Sequence, residues 1–405
     1  MATAQTMEKL PRLKLKDVKK QPRLDLKIQD KMEVSKYMYE TIAAKVMGNH
    51  LPVSSVCDAH CFFCSNEMNP FEILREKFRT IEDTKKGISL LDANASEIVI
   101  GDALPGRISE GEALLHPKIF EILRLIRNKC PRATIQVTTN ATRLTEEYLL
   151  QLKEFLPIKF TISYQSNSKE NWCKIFDSPE RKFINAQNSF ELILKHGFYV
   201  EANMTPMPTL VGYDDIEDTI RFLSSWPNLN FLFIFAPGYS RVVPKDIKDQ
   251  LVYDTTEMSD FLAKMRKKYQ IDILWMLDPK QPLDGFSPLP DMLNSWRQGF
   301  KNPLWLFSEA VFDRARKLVE GFLPSVPNNH YVTCVKNRTY GGNIVASGLL
   351  QVADFDYAIE KALKQTNDID LLVLPGVPFD AFGNDLTCVN HDTLWDKHEI
   401  PYWIL

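Results

Sequence analysis

No run of this 405-residue sequence reaches the roughly twenty apolar residues that carry a helix across a bilayer, and residues 1–31 lack the apolar core of a signal peptide. Both absences predict a soluble, cytoplasmic protein with no membrane partner. Charge of one sign is lacking too: 49 Lys and Arg against 52 Asp and Glu leave a formal net charge of −3. Without a polyelectrolyte signature, no nucleic-acid partner is expected. Cysteine is scarce, with seven in the chain, and Cys130, Cys173, Cys334 and Cys388 stand alone. A secreted disulfide framework, which packs paired cysteines into a small chain, is therefore not expected. No internal repeat or low-complexity tract is evident.

What is present is enough apolar content, 44%, to bury a large domain and a smaller one. Residues 10–31 are rich in Lys, Arg and Asp and read as a solvated arm, so 1–40 is assigned as a basic N-terminal extension. Helical spacing of apolar residues predicts a helix over 32–47. From residue 51, short β-branched or aromatic runs at 51–56, 96–100, 134–139, 158–163, 199–204 and 230–235 alternate with amphipathic stretches. Those stretches include 117–129, 146–155, 186–196 and 216–225. Such repetition means parallel strands joined by crossover helices. Six units fit an α/β fold built as a partial (β/α)6 barrel better than a closed eight-stranded one, and the pattern also allows an open doubly wound sheet. In either case active groups belong at the carboxyl ends of the strands.

The core barrel is thus expected over 41–275. Past residue 269 the regularity fades, and 276–325 reads as a connector or lid, irregular over 278–306 and helical over 307–323. A small C-terminal α/β domain is expected over 326–405. Its elements are strands at 330–336, 343–347 and 371–374 and a helix at 354–365, with Gly341-Gly342 read as a hairpin or bulge.

The densest chemistry is the run Cys57-Asp-Ala-His-Cys61-Phe-Phe-Cys64. Soft thiolates at this spacing select an iron–sulfur cluster or zinc. Structural zinc needs a fourth protein ligand, yet there is no second CxxC pair, and His60 beside Cys61 is poorly placed to share one ion. Three cysteines on one loop suit three irons of a cubane, leaving the fourth iron open. Zinc, or three merely structural cysteines, are the readings that this pattern leaves standing.

CxxxCxxC with an aromatic before the last cysteine resembles the signature of the radical S-adenosylmethionine (SAM) superfamily. Three further segments fall in that superfamily's order. Gly111-Glu112-Ala113-Leu114-Leu115-His116-Pro117 resembles its GEPLLHP stretch, Thr138-Thr139-Asn140-Ala141-Thr142-Arg143-Leu144 its TTNGTLL, and Pro208–Asp215 its PxxxGxxD turn. Ala113 and Ala141 depart from the usual proline and glycine, and residues 101–109 intervene where the family has almost nothing, so Glu110 and Asp102 are alternatives to Glu112.

The resemblance implies a partial (β/α)6 radical SAM barrel. Cys57, Cys61 and Cys64 would be the metal ligands and catalytic centre, holding a [4Fe–4S] cluster whose open iron chelates S-adenosyl-L-methionine. The cofactor contacts implied are Phe63 near the adenine, Gly111, Glu112 to the SAM ammonium, and Asn140. Ser163 and Asn203, at strand ends, and Gly238 and Tyr239 are further candidates for cofactor contact. Tyr164, Gln165 and Glu201 sit where substrate would enter. Cys173, on a loop, has a bland reading as incidental beside a radical- or methyl-carrying one.

The implied activity is reductive cleavage of SAM to a 5′-deoxyadenosyl radical that takes hydrogen from a small-molecule biosynthetic substrate. An electron donor such as flavodoxin or ferredoxin would be the partner. The rivals are methyl transfer or peptide modification, and a non-catalytic iron–sulfur or zinc protein. Asn337–Leu350 and Asp370–Pro375 resemble the C-terminal region of DUF512-type proteins, related to the NifB and MoaA enzymes, without the usual PDZ-like module.

Overall fold

The structure, a computed structural model, describes residues 49–64, 78–102, 110–226, 229–275, 300–322, 331–379, 383–385, 387 and 389–404. The basic extension, the helix expected over 32–47 and Cys388 lie outside these residues. Two compact units emerge, one within Tyr39–Gln281 and one within Pro282–Leu405. Among the described residues no helix is long and apolar enough to cross a membrane.

The first unit alternates helix and strand in chain order: α1 (Ile81–Leu90), β1 (Glu97–Ile100), α2 (Ile119–Lys129), β2 (Thr134–Thr139), α3 (Glu146–Leu152) and β3 (Ile158–Ser163). It continues with α4 (Lys169–Phe176), α5 (Glu180–Lys195), β4 (Tyr199–Met204), α6 (Pro208–Val211), α7 (Tyr213–Ser224) and β5 (Leu229–Ile234). It ends with α8 (Lys245–Leu251), α9 (Thr255–Tyr269) and β6 (Ile273–Trp275). The six strands pair side by side in sequence order, all parallel. Crossovers of one hand between sequential neighbours put α1, α2, α3, α5, α7 and α9 against one face of the sheet, which is how an α/β sheet curls into a partial barrel.

Packing follows from that one-sided winding. In β2 the buried residues are Ile135, Val137 and Thr139, whereas Thr134, Gln136 and Thr138 are half-buried. Ile135 and Val137 join residues of α1, α2, α3, α5, α7 and α9 in one apolar core. The opposite face of the sheet carries the alternate positions, where polar residues persist.

Two sequence expectations need correction in this unit. Residues 51–56 are not a strand of the sheet, because only the His50–Val99 bridge forms and the following amides are taken by a side chain, as described below. And β6 closes the row at a position that sequence periodicity did not reveal, since its three residues are too few to show an alternation.

The second unit contains β7 (Pro303–Ser308), α10 (Phe312–Phe322), β8 (Tyr331–Val335), α11 (Val352–Leu363), β9 (Leu371–Leu374), α12 (Asp392–His398) and β10 (Tyr402–Ile404). Its sheet runs β10-β9-β7-β8, again parallel. Here both faces are covered. Leu304, Leu306, Leu372 and Leu374 pack with Val352, Phe355 and Leu394 on one side. Trp305, Phe307, Leu371 and Val373 pack with Ala315 and Val319 on the other.

Strand β7 lies inside 278–306 and the start of 307–323, read from sequence as irregular and helical, whereas α10 falls within the helix expected over 307–323. A strand buried on both faces has no period-two alternation to betray it. Residues 343–347, expected as a strand, instead follow a turn in which Gly341 and Gly342 both have φ of +63°. Gly341 N donates to Asn337 O, and Ile344 N to Gly341 O, which turns the chain too tightly for an extended run.

Arg127 locks the helix–strand joints of the first unit. Its Nη1 donates to the carbonyls of Cys130, Pro131 and Ala133 (3.2, 3.2 and 2.7 Å), and its Nη2 to those of Phe155 and Pro157 (2.8 and 3.3 Å). Arg127→Met leaves these carbonyls without their charged donor and is expected to lower stability by roughly 2 kcal/mol. Urea denaturation measures this, and an unchanged midpoint would contradict it.

Candidate functional site

The chain enters the site along the edge of β1. Leu51 N donates to Val99 O at 2.8 Å, and Val99 N to Asn49 O at 3.1 Å. The pairing then stops, because the Val53 and Ser54 amides donate to the buried Glu110 carboxylate at 3.0–3.3 Å. A carboxylate thus replaces the next rung of the ladder, and Glu110 is engaged with backbone rather than facing open space. Two residues on, Gly111 N donates to Ser54 O and Glu112 N to Val56 O, both at 2.8 Å. A Cβ on Gly111 would sit 2.2 Å from the Val56 carbonyl oxygen, so only glycine lets these two segments cross.

The cysteine loop leaves this crossing and is fastened to α4. His60 N donates to Phe176 O (3.1 Å), Phe62 N to Ile175 O (2.7 Å), and Cys64 N to Cys61 O (2.9 Å). Phe63 meets the edge of Phe176 at 6.3 Å, within a small apolar cluster that includes Trp172, Ile175 and Met207. Cys57 is exposed, Cys61 and Cys64 half-buried. Although the Cys57 side chain reaches solvent, the protein packed around it disfavours the thiolate and pushes the thiol up to about 11, with Ala59 N opposing from 3.5 Å and the Glu112, Asp58 and Cys64 charges adding to the rise. Cys61 is driven well above the ordinary thiol value, first by burial and then by Cys57 and Cys64.

Such raised values keep these cysteines as thiols until a metal displaces their protons, and soft sulfur donors suit iron–sulfur clusters or zinc. Among the described residues no three His, Cys, Asp or Glu side chains converge on a single ion. A cubane does not ask them to, since each iron takes one sulfur. The donor set therefore fits the cluster.

Glu112, wholly buried, is the hub of the surrounding network. Its Oε1 accepts from Thr139 Oγ1 (2.8 Å) and Leu114 N (3.4 Å), and its Oε2 from Asn140 N (2.8 Å). Burial outweighs these bonds and lifts its pKa to about 7, with the Asp58 charge adding to the rise. Asn140 passes the connection on: its Nδ2 donates to Asp58 Oδ1 at 3.0 Å, while its Oδ1 accepts from Thr142.

Asp58, between Cys57 and Cys61, also accepts from Thr142 Oγ1 (3.1 Å) and Arg143 Nε (3.3 Å). Lys182 lies 3.6 Å from its carboxylate and donates to its backbone carbonyl. Burial alone would raise the Asp58 pKa, but the Asn140 amide, Lys182, Thr142 and Arg143 hold it below the usual value. Sequence reasoning passed over Asp58, and its only signal was a carboxylate inside the cysteine spacing.

The remaining candidates are distributed unevenly. Ser163 Oγ accepts from Gln165 Nε2 (2.9 Å), and Gln165 Oε1 accepts from Thr205 N (2.7 Å). Gln165 is buried with both ends of its amide engaged, which ties the ends of β3 and β4 rather than offering a free contact. Tyr164 points to the helix side, packing on Phe190, Phe222 and Trp226, and its hydroxyl bonds Asn167 and Gln187. Period-two alternation after Ser163 accounts for that direction.

Asn203 is half-buried at the end of β4, directly paired with Ser163 and Phe233. Tyr239 packs beside the cysteine-loop cluster, with Lys248 Nζ 5.5 Å from its ring centroid. Glu201 lies deeper on β4, 3.2 Å from Lys159. In the PxxxGxxD turn, Gly212 has φ +82° and Asp215 accepts from Ser166 Oγ at 2.9 Å, joining the β3 loop to α7. Cys173 is a half-buried residue of α4. A cleft of about 680 Å³ borders the outer side of the cysteine loop, lined by His60, Cys61, Lys174 and Asp177 among others.

Two outcomes follow. Ala141, in the place of the family's glycine, has φ +60°, a left-handed conformation that costs a Cβ-bearing residue. Ala141→Gly is expected to raise stability by about 0.5–1 kcal/mol in urea titrations, and a loss would contradict the strain. Glu112, with its folded pKa raised from 4.5 to about 7, keeps a proton that the unfolded chain has lost, so stability falls as pH rises through that window. Glu112→Gln should abolish a fall on the order of 3 kcal/mol in the cluster-free protein. Denaturation at about pH 5 and pH 8 reads it out, and an equal fall in both proteins would exclude Glu112 as its source.

The family model of the radical SAM superfamily matches residues 51–223. Among solved structures, the chain resembles TYW1 with a lysine-pyruvate adduct bound, at 15% identity over 52% of this chain and 70% of that one, with a TM-score of 0.36. It resembles methylornithine synthase (PylB) at 13% identity over 62% and 80%, with a TM-score of 0.41. It resembles Streptococcus suis SuiB bound to S-adenosylmethionine at 11% identity over 71% of this chain and 58% of that one, with a TM-score of 0.39. No curated protein matches. Residues 51–223, in which the cysteine loop, Glu112 and Asn140 share one bonded network, thus form a radical SAM domain.

Proposed function

We propose that this enzyme reductively cleaves S-adenosyl-L-methionine and uses the product radical to take a hydrogen atom from a small-molecule biosynthetic substrate. Cys57, Cys61 and Cys64 are the residues that would hold the [4Fe–4S] cluster. Cleavage of the sulfonium to methionine and a 5′-deoxyadenosyl radical is the chemistry such a cluster supplies when bound. The observation that carries the reading is the continuous path Glu112–Asn140–Asp58, in which a buried carboxylate is fixed by hydrogen bonds next to the cysteine loop.

The roles of the chain's own residues follow from that path. Glu112, poised near neutrality by burial, accepts from an ammonium when one is presented, and the incoming charge favours its ionised form. Asn140 and Thr139 fix the orientation of the Glu112 carboxylate. Asp58, Arg143 and Lys182 hold the loop in place from its second residue. Phe63, Gly111, Ser163, Asn203 and Tyr239 belong to the proposed cofactor surroundings, and Glu201 to the substrate side.

The same reading includes a low-potential donor such as flavodoxin or ferredoxin and a cytoplasmic, reducing location. It also includes a C-terminal region of DUF512 type, in the group related to NifB and MoaA, following the barrel and connector.

Anaerobic reconstitution with iron and sulfide, then reduction in the presence of SAM, tests the reading. 5′-Deoxyadenosine is expected from the wild type and only background from Cys57→Ser, Cys61→Ser or Cys64→Ser. Glu112→Gln should keep the cluster, seen by iron and sulfide content, while weakening SAM binding at least about tenfold. A wild-type protein that binds zinc in place of iron, or that gives S-adenosylhomocysteine as its sole cofactor product, would overturn the proposal.

A further inference from the structure

The helix-free face of the first sheet is divided into two unlike halves. On β1, β3 and β4 it bears Glu97, Lys159 and Glu201. Lys159 Nζ lies 2.7 Å from Glu97 Oε2 and 3.2 Å from Glu201 Oε1, and the Glu201 side chain is only 7% exposed. Two carboxylates therefore share one ammonium, and the described strand residues of this face supply no second Lys or Arg. Glu97, with its side chain 37% exposed, keeps water as a further partner, so the carboxylate left short of compensation is the buried Glu201, whose pKa burial raises against the opposing pull of Lys159. The Thr138 hydroxyl, on the intervening β2, is buried without a hydrogen-bond partner.

On β5 the same face turns aromatic. Phe231 and Phe233 meet edge to face at 4.5 Å, and Phe233 stacks with the exposed Phe235 at 6.0 Å. The seam between the halves is specific. Pairing of β4 with β5 slips between Val200 and Ala202, so that residues 230 and 231 both stand against Glu201, and beyond the slip Asn203 pairs with Phe233. A bulge of this kind re-aims side chains. Here it brings a carboxylate and an aromatic pair onto neighbouring strands, about 5 Å apart in the pairing direction.

Resting on the reading of this barrel as the catalytic domain, we infer that the substrate is a cationic arylalkylamine, its ammonium meeting Glu201 and its ring lying against Phe231 and Phe233. An ammonium supplies the charge that Lys159 leaves uncompensated. An aromatic ring would add edge and face contacts to the half-buried Phe231 and Phe233.

Calorimetric titration of the reconstituted full-length protein with three probes tests this. Tryptamine carries both features, N-acetyltryptamine the ring alone, and propylamine the charge alone. Tryptamine is expected to bind at least about tenfold more tightly than either, and to lose about tenfold with Glu201→Gln or Phe233→Ala. Equal binding of the neutral analogue, or no heat from tryptamine at millimolar concentration, overturns the inference. Should a variant not fold, the comparison of the three probes on the wild type decides alone. 5′-Deoxyadenosine formation without any probe, measured on the same sample, shows whether such a failure belongs to the substrate class or to the radical SAM reading beneath it.

Discussion

The burial of Glu112 is the constraint around which the site is arranged. A carboxylate with no access to water must be matched by donors or hold its proton. Here Thr139, Asn140 and Leu114 supply the donors without lowering its pKa to that of an ordinary glutamate. Since Asn140 also holds Asp58, the end of β2, the Gly111-Glu112 turn and the cysteine loop cannot shift independently. The close crossing at Gly111 and the Glu110 carboxylate that terminates the edge pairing belong to the same device. Together they convert three separated sequence motifs into one local framework.

One-sided winding decides what the rest of the barrel does. With α1, α2, α3, α5, α7 and α9 on one face, the apolar half of each strand is consumed by a single core, and the other half is released from the need to be apolar. That release permits an ion cluster of Glu97, Lys159 and Glu201 beside an aromatic ladder, a combination that a sheet covered on both faces would not accommodate. The second unit makes the contrast: β9 is apolar at every position, and β7 at every position but Ser308, because both faces are covered.

Legibility of the fold tracks this difference. The strands β2, β3 and β4 could be read to the residue because one face is apolar and the other not. Strand β7, with the sequence Pro-Leu-Trp-Leu-Phe-Ser, could not, since an unbroken apolar run does not say whether it is a strand, a helix or part of an irregular connector. The Gly341-Gly342 pair announced a turn, but its consequence for residues 343–347 depended on the Asn337 carbonyl that captures Gly341.

The sequence by itself determined which residues could carry the chemistry. Cysteine spacing and the order of the Glu112 and Asn140 motifs are local facts, fixed by covalent distance along the chain. Tertiary structure alone decided which side chains those motifs lean on. Asp58 joins the network through Asn140 and Thr142, Gln165 spends its amide on Ser163 and Thr205, and Tyr164 turns into the helical core. It alone also decided that Glu201 and Phe231, thirty positions apart, stand side by side across a bulge. The reason is that hydrogen-bond partners and burial are set by which strands become neighbours, and neighbourhood is a property of the folded sheet rather than of the spacing along the chain.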